Sequence, residues 1–187
     1  MGKLILILGG ARSGKSTFAQ NLAMRLSDEV IYIATALALD AEMKARIENH
    51  RKERPSSWVT IERPLKIAQL FEDQPLQAQV VLVDCLTILA TNLLLEASQD
   101  ENNPDENAAA AALEAEITGL LKVIQQGSVV WIIVSNEVGL GLVPAYPLGR
   151  IYRDLLGRAN QRLASTADEV YFMVSGIPVP IHGYRIA

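Results

Sequence analysis

Leu4-Ile5-Leu6-Ile7-Leu8 runs directly into Gly9-Gly10-Ala11-Arg12-Ser13-Gly14-Lys15-Ser16, a complete GxxxxGK[ST] phosphate-binding loop. The apolar run predicts a buried strand and the residues from Lys15 onward predict a helix, so this stretch reads as a strand-loop-helix unit. The chemistry needs this spacing because backbone N–H groups must curl around phosphate oxygens, which glycine permits by tolerating positive φ and allowing close approach. Lys15 is then placed to reach the β- and γ-phosphates and Ser16 to set its hydroxyl on Mg²⁺. The helix beginning near Gly14 aims its positive end at the anion. A nucleoside triphosphate is the first ligand this chain predicts.

Short aliphatic runs recur outward from this unit, at Val30 to Ala34, Val80 to Val83, Val129 to Val134 and Val170 to Val174. Each is nearly all apolar, as strands covered on both faces must be. Helical patterns fall between them, at Lys15 to Leu26, Ala41 to Lys52, Pro64 to Phe71, Leu86 to Ala97, Asp105 to Gln125 and Leu148 to Ser165. The alternation predicts an α/β fold over residues 1–187 as a single domain, with a mainly parallel sheet and helices on both faces. Within Asp105 to Gln125, Leu113, Ile117, Leu120, Leu121 and Ile124 form one stripe, and Glu114, Glu116 and Lys122 are expected to fall away from it. The polar stretch Asp100 to Glu106 reads as a loop. Ile177-Pro178-Val179-Pro180 can be only an edge strand or a terminal strap.

The 187 residues are half hydrophobic and one-fifth charged, which describes a soluble globular core. Seventeen basic residues against twenty-one acidic ones give a net charge of −4 with no basic block, so nucleic acid is not an expected partner. One cysteine, Cys85, excludes an internal disulfide and fits a reducing cytoplasm. Five apolar residues before the loop are too few for an export signal, Leu6 replaces the Ser or Thr of a myristoylation signal, and no run approaches a membrane span. The chain is expected in the cytoplasm with no membrane anchor.

A phosphate loop needs an acid at a buried strand end to complete the Mg²⁺ site, and Val80-Val81-Leu82-Val83-Asp84 supplies Asp84. Asp84 also reads as an N-cap for the helix from Leu86, and the two roles can coexist. Glu137 is a second strand-end acid, able to position water or a base, or simply to solvate its loop; the loop reading is favoured. The segment Arg46-Ile47-Glu48-Asn49-His50-Arg51-Lys52-Glu53-Arg54-Pro55 embeds His50 among four cations. Neighbouring positive charge keeps such an imidazole neutral and nucleophilic, and the same cations would steady a transferring phosphoryl or nucleotidyl group. On spacing alone a solvated helix face explains the segment better. His182, near the terminus, reads as a surface residue.

Together these motifs resemble the bifunctional adenosylcobinamide kinase/adenosylcobinamide-phosphate guanylyltransferase family of cobalamin biosynthesis, within the P-loop NTPase superfamily. The resemblance spans nearly the whole chain. It rests on Gly9 to Ser16, Tyr32-Ile33-Ala34-Thr35, the Arg-Ile-x-x-His-basic-x-x-Arg-Pro pattern of Arg46 to Pro55, Asp84 and Thr91-Asn92-Leu93-Leu94. It continues through Ser135-Asn136-Glu137-Val138-Gly139, Gly157-Arg158-Ala159-Asn160-Gln161 and Ala167-Asp168-Glu169-Val170. It implies that His50 becomes covalently guanylylated, which reverses the reading from spacing, and that Gly9, Gly10, Ala11, Arg12, Ser13, Gly14, Lys15 and Ser16 bind GTP phosphates. It further implies that Ala34, Thr35, Arg51, Lys52, Glu53 and Arg54 line the nucleotide site, and that Glu62 and Asp84 contact the nucleotide. Some members carry a second histidine before the nucleophile, where this chain has Asn49. The implied substrates are ATP, GTP, adenosylcobinamide and its phosphate, the implied cofactor is Mg²⁺ on Ser16 and Asp84, and the implied assembly is a homotrimer. Two other readings are a plain small-molecule kinase with a structural His50 and a regulatory NTPase. The common GTPase form is disfavoured by the lack of an Asn-Lys-x-Asp motif, and a motor would need a trans-acting arginine such as Arg150, Arg153 or Arg158.

Overall fold

A computed structural model describes residues 1–37, 51, 54–71, 77–98 and 104–181. Seven strands form one sheet: β1 (Lys3–Gly9), β2 (Val30–Ala34), β3 (Val59–Glu62), β4 (Val80–Asp84), β5 (Val130–Val134), β6 (Glu169–Val174) and β7 (Ile177–Pro180). Their spatial order is β3-β2-β4-β5-β1-β6-β7, and every pairing is parallel except β6 with β7. Four α-helices are described: α1 (Lys15–Leu26), α2 (Leu86–Ala97), α3 (Glu106–Gln126) and α4 (Pro147–Thr166).

The period of two along each strand divides the core between the faces of the sheet. Leu4, Leu6, Leu8, Val81, Val83, Trp131 and Ile133 face α2, α3 and α4, while Ile5, Ile7, Val80, Leu82, Ile132 and Val134 face α1. Helices therefore cover both faces, unevenly. Helix α1 presents only Ala19 and Ala23 as fully buried apolar side chains, and these short residues let it lie close to the strands.

Several expectations are met and others are corrected. Residues Ile177–Pro180 do form an edge strand, and it is antiparallel, where Pro178 and Pro180 forgo ladder donors that a central strand would need. The helical pattern from Asp105 to Gln125 is α3, which Asp105 caps by accepting from the Ala108 N–H at 2.9 Å. The helix expected over Pro64 to Phe71 shrinks to one 3₁₀ turn, Ala68–Phe71, because Lys66 at φ +55 breaks the helical path. A strand that was not expected, β3, precedes it: Thr60 and Ile61 are β-branched, but four residues with Val59 exposed give too little alternation to read. The helix expected over Ala41 to Lys52 lies outside the described residues, apart from Arg51.

Glu116 does not fall away from the α3 stripe. It is 9% exposed, and its Oε1 accepts from the Ile67 N–H at 2.6 Å and the Ala68 N–H at 3.3 Å. The carboxylate thus satisfies the orphan donors that open the 3₁₀ turn, ties that turn to α3, and holds Phe71 edge-on to Trp131 with ring centroids 5.1 Å apart. Glu116→Ala leaves two inward N–H groups unpaired, so urea unfolding is expected to show a loss of about 1–3 kcal/mol, against a smaller loss for Glu116→Gln. Equal stability of Glu116→Ala and the parent chain would contradict this role.

Candidate active site

Parallel strands all end on one edge of the sheet, so loops that leave those ends converge there. β1 ends at Gly9 and β4 at Asp84, and the strand order inserts β5 between them, with Val134 in register with both Ile7 and Asp84. A contact between the phosphate loop and Asp84 must therefore reach over the end of β5. Helix α1 makes that reach: the Ser16 hydroxyl donates to Asp84 Oδ1 at 3.2 Å. On the other side the Tyr32 hydroxyl donates to Asp84 Oδ2 at 2.7 Å. Burial first, and then the Asp84 charge, push the Tyr32 phenol above its ordinary range, which keeps it a donor.

Tyr32 is itself clamped. The Arg54 guanidinium lies 3.4 Å from its ring centroid, and Trp58 stacks beside it at 6.4 Å between centroids. Arg54, predicted to line the nucleotide site, thus sits behind Asp84, with Nη1 donating to the Thr60 hydroxyl at 3.4 Å. Asp84 does not cap α2; that place belongs to Cys85, which makes no side-chain cap bond. Burial first, and then the Asp84 charge, push the Cys85 thiol up to about 11.

The phosphate loop has the conformation its glycines suggest. Gly9 and Gly14 adopt φ of +152° and +91°, and a Cβ on Gly9 would lie 2.7 Å from the Ser13 hydroxyl and 2.9 Å from the Met173 carbonyl. Arg12 also has positive φ, at +58°, and is exposed at the loop tip with Ala11. Lys15 is 8% exposed and donates from Nζ to the Gly10 carbonyl at 2.6 Å. Desolvation lowers its pKa, with nearby negative groups including Asp84 opposing the shift. The Ser13 hydroxyl is buried without a hydrogen-bond partner among the described residues, inside the cradle.

A support missed by the sequence reading comes from the far end of the chain. The β6–β7 hairpin turns through Ser175 and Gly176 at φ +50° and +84°, and the Gly176 N–H donates to the Ser13 carbonyl at 3.0 Å. Its Cα would be 3.2 Å from a Cβ on Gly14. The dipeptide Ser-Gly marks a turn in sequence, but nothing local says that the turn will rest on a loop 160 residues earlier.

Ala34 and Thr35 follow β2 to the same edge. Thr35 is fully buried and its hydroxyl is used twice, donating to the Cys85 carbonyl at 2.8 Å and accepting from the Cys85 N–H at 2.8 Å. Asn92 on α2 closes the knot by donating to the carbonyls of Thr35 and Pro64, at 3.0 and 3.1 Å. Thr35 thus holds the β2 and β4 ends together. Glu62, at the end of β3, is exposed, as is Arg51. His50, Lys52 and Glu53 lie outside the described residues, as does His182.

Glu137 follows β5, with its N–H donating to the Gly9 carbonyl at 3.0 Å and its Oε1 accepting from the Gly139 N–H at 2.7 Å. Asn160 on α4, 4% exposed, joins this segment by accepting from the Ser135 hydroxyl at 2.7 Å and donating to the Asn136 carbonyl at 2.9 Å. Of the three arginines considered for a trans-acting role, Arg150 holds the carbonyls of Pro144 and Ala145 and Arg153 pairs with Asp154 at 3.2 Å.

A parallel sheet with a GxxxxGK[ST] loop at the end of β1 and a hydroxyl–carboxylate pair beside it defines a P-loop nucleotide-binding protein. The fold agrees with solved structures: the RadB recombinase superposes with a TM-score of 0.50 at 15% identity, over 91% of this chain and 74% of that one. A type III secretion system ATPase from pathogenic bacteria gives 0.53 at 15% identity, over 93% of this chain and 51% of that one. The family model described as "Cobinamide kinase / cobinamide phosphate guanyltransferase" matches residues 5–181, and this chain belongs to that family. The bifunctional adenosylcobalamin biosynthesis protein CobU of Escherichia coli is 45% identical over 95% of this chain and 99% of its own length. That of Salmonella typhimurium is 43% identical over the same shares, and CobP of Pseudomonas aeruginosa is 42% identical over 95% and 96%. Among the described residues no helix is long and apolar enough to cross a membrane.

Two measurements follow from this geometry. Gly176→Ala places a side chain at φ +84° with no atom of the described residues near its Cβ, so the cost of about 1–2 kcal/mol falls on the turn that supports Ser13. Nucleotide affinity by calorimetry is expected to fall several-fold, and unchanged affinity would contradict the support. Cys85, with its thiol pushed up to about 11 from 9.0, is expected to alkylate at pH 8 roughly a hundredfold more slowly than in the urea-unfolded chain. Equal rates would contradict that shift.

Proposed function

We propose that this chain catalyses two successive transfers on one corrinoid. In the first, the γ-phosphoryl of ATP or GTP passes to the hydroxyl on the aminopropanol arm of adenosylcobinamide. In the second, GMP passes from GTP to the resulting phosphate, giving adenosylcobinamide-GDP. The observation that carries the reading is the Ser16–Asp84 contact next to Lys15, in a chain of the cobinamide kinase and guanyltransferase family.

Residues Gly9 to Ser16 wrap the phosphates, and Lys15 exchanges its bond to the Gly10 carbonyl for bonds to phosphate oxygens. Ser16 and Asp84 fit a divalent cation: two hard oxygen donors stand 3.2 Å apart, close to the ~3.0 Å between adjacent ligands of an octahedral Mg²⁺ with bonds of about 2.1 Å. When bound, Mg²⁺ neutralises charge on the phosphates during transfer. Tyr32 fixes the second Asp84 oxygen, so the carboxylate presents Oδ1 without rotating away.

For the second transfer His50 attacks the α-phosphorus of GTP, pyrophosphate leaves, and the corrinoid phosphate then attacks the histidine-bound GMP. A covalent step divides one difficult displacement into two easier ones. Ala34, Thr35 and the cations from Arg51 to Arg54 frame the nucleotide, with Thr35 acting through the strand ends it holds and Arg54 through Tyr32. Glu62 contacts the nucleotide from the end of β3. The working assembly is a homotrimer in the cytoplasm.

Incubation with α-labelled GTP and Mg²⁺ followed by denaturation is expected to leave acid-labile, alkali-stable label on the chain, and none on His50→Ala. Undiminished label in that variant would reject the histidine intermediate. Lys15→Ala is expected to abolish phosphorylation of adenosylcobinamide, and full retained activity would reject the loop as the phosphoryl-transfer site.

A further inference from the structure

Two segments that carry the family resemblance, Ser135 to Gly139 and Gly157 to Gln161, have no part in the transfers proposed above. The fold brings them together. Asn160 locks α4 onto the backbone just after β5, and beside this joint lies a groove of about 450 Å³. Leu8 and Glu137 line it on the sheet side, and Arg153, Gly157, Arg158 and Gln161 line it from α4. Leu8 directly precedes the phosphate loop, and the Glu137 N–H is bonded to Gly9, so the groove adjoins the loop where β1 ends.

We propose that this groove takes the arm of the phosphoryl acceptor, with Glu137 as the base for its hydroxyl and Arg158 as the cation for the phosphate it becomes. The proposal rests on the kinase reading above and adds the acceptor's place. Three features of the groove support it. The Glu137 carboxylate is held through Oε1 by the Gly139 N–H, while Oε2 has no partner among the described residues and is available to a hydroxyl. A Cβ on Gly139 would lie 2.9 Å from that Oε1, so the hold suits glycine at this position. Arg158 has no hydrogen bond or ion pair among the described residues, in contrast to Arg150 and Arg153. A guanidinium without a partner among the described residues and a carboxylate lining the same groove suit a group that arrives as an alcohol and leaves as an anion.

The step balances. The acceptor O–H gives its proton to Glu137, its oxygen forms a bond to the γ-phosphorus of the nucleoside triphosphate, and the bond from that phosphorus to the β-phosphate oxygen breaks. The nucleoside diphosphate leaves. The new phosphate ester pairs with Arg158, and the proton passes from Glu137 to water.

Gly157 provides a test that does not depend on removing a contact. No atom of the described residues lies within 4 Å of a Cβ built there, in mid-helix, so Gly157→Leu fills the groove while favouring the helix. With cobinamide as acceptor, Gly157→Leu is expected to raise its KM at least tenfold while GTP affinity and thermal midpoint hold. Glu137→Gln is expected to lower kcat for phosphorylation by about 10²–10⁴ with little change in KM. Its effect on guanylyl transfer to cobinamide phosphate, which has no hydroxyl proton to lose, should be far smaller. Arg158→Ala should raise KM most for the phosphate. An active parent chain with unchanged acceptor KM in Gly157→Leu and unchanged kcat in Glu137→Gln would overturn the groove assignment alone. A parent chain that leaves cobinamide unphosphorylated would overturn the functional reading and the groove with it.

Discussion

The hydrogen bond from Ser16 to Asp84 closes the site, and the order of the strands dictates that it be made across a gap. Because β5 separates β1 from β4, neither strand end meets the other through the sheet ladder. Among the described residues the Ser16 side chain, in the first turn of α1, spans the distance, which requires α1 to lie close to the sheet. Ala19 and Ala23 allow that approach, and Tyr32 sets the carboxylate that receives it. A packing requirement on one face of the sheet thus sets the geometry of the hydroxyl–carboxylate pair at its edge.

The phosphate loop is held ready before any anion arrives. Lys15 is drawn inward by the Gly10 carbonyl, the Ser13 carbonyl is occupied by the hairpin turn at Gly176, and Glu137 takes the Gly9 carbonyl. Backbone acceptors near the cradle are therefore engaged elsewhere, which leaves its donors to the ligand. Burial lowers the Lys15 pKa, and a phosphate entering the cradle restores the stability of its charge. Part of the attraction for the nucleotide arises from relieving that cost.

How much of this could be read from the residues depended on how local each signal was. The loop and its strand and helix were legible because spacing within thirteen residues carries the chemistry. The central strands were legible because burial on both faces makes them wholly apolar. Asp84 was legible as an acid at a strand end, but not that Cys85 takes the capping place of α2 or that Ser16 and Tyr32 hold its two oxygens. Partners distant in sequence were not legible: Glu116 looks like any helix-surface carboxylate until Ile67 and Ala68 supply the donors. Nothing near Thr35 in sequence says that its hydroxyl will be used on both sides by Cys85. His50 is proposed as the nucleophile only through the family pattern, since its charged neighbours alone describe a solvated helix, and it lies outside the described residues.

The central claim is that Ser16 and Asp84 together hold the cation that accompanies the nucleotide. Mn²⁺ can be titrated into the GTP-loaded chain and followed by electron paramagnetic resonance, in the parent protein and in Asp84→Asn. The account predicts tight uptake of one Mn²⁺ per chain in the parent, with a loss of at least tenfold in affinity when the carboxylate becomes an amide. Equal Mn²⁺ affinity in the two proteins, with GTP bound to both, would contradict it.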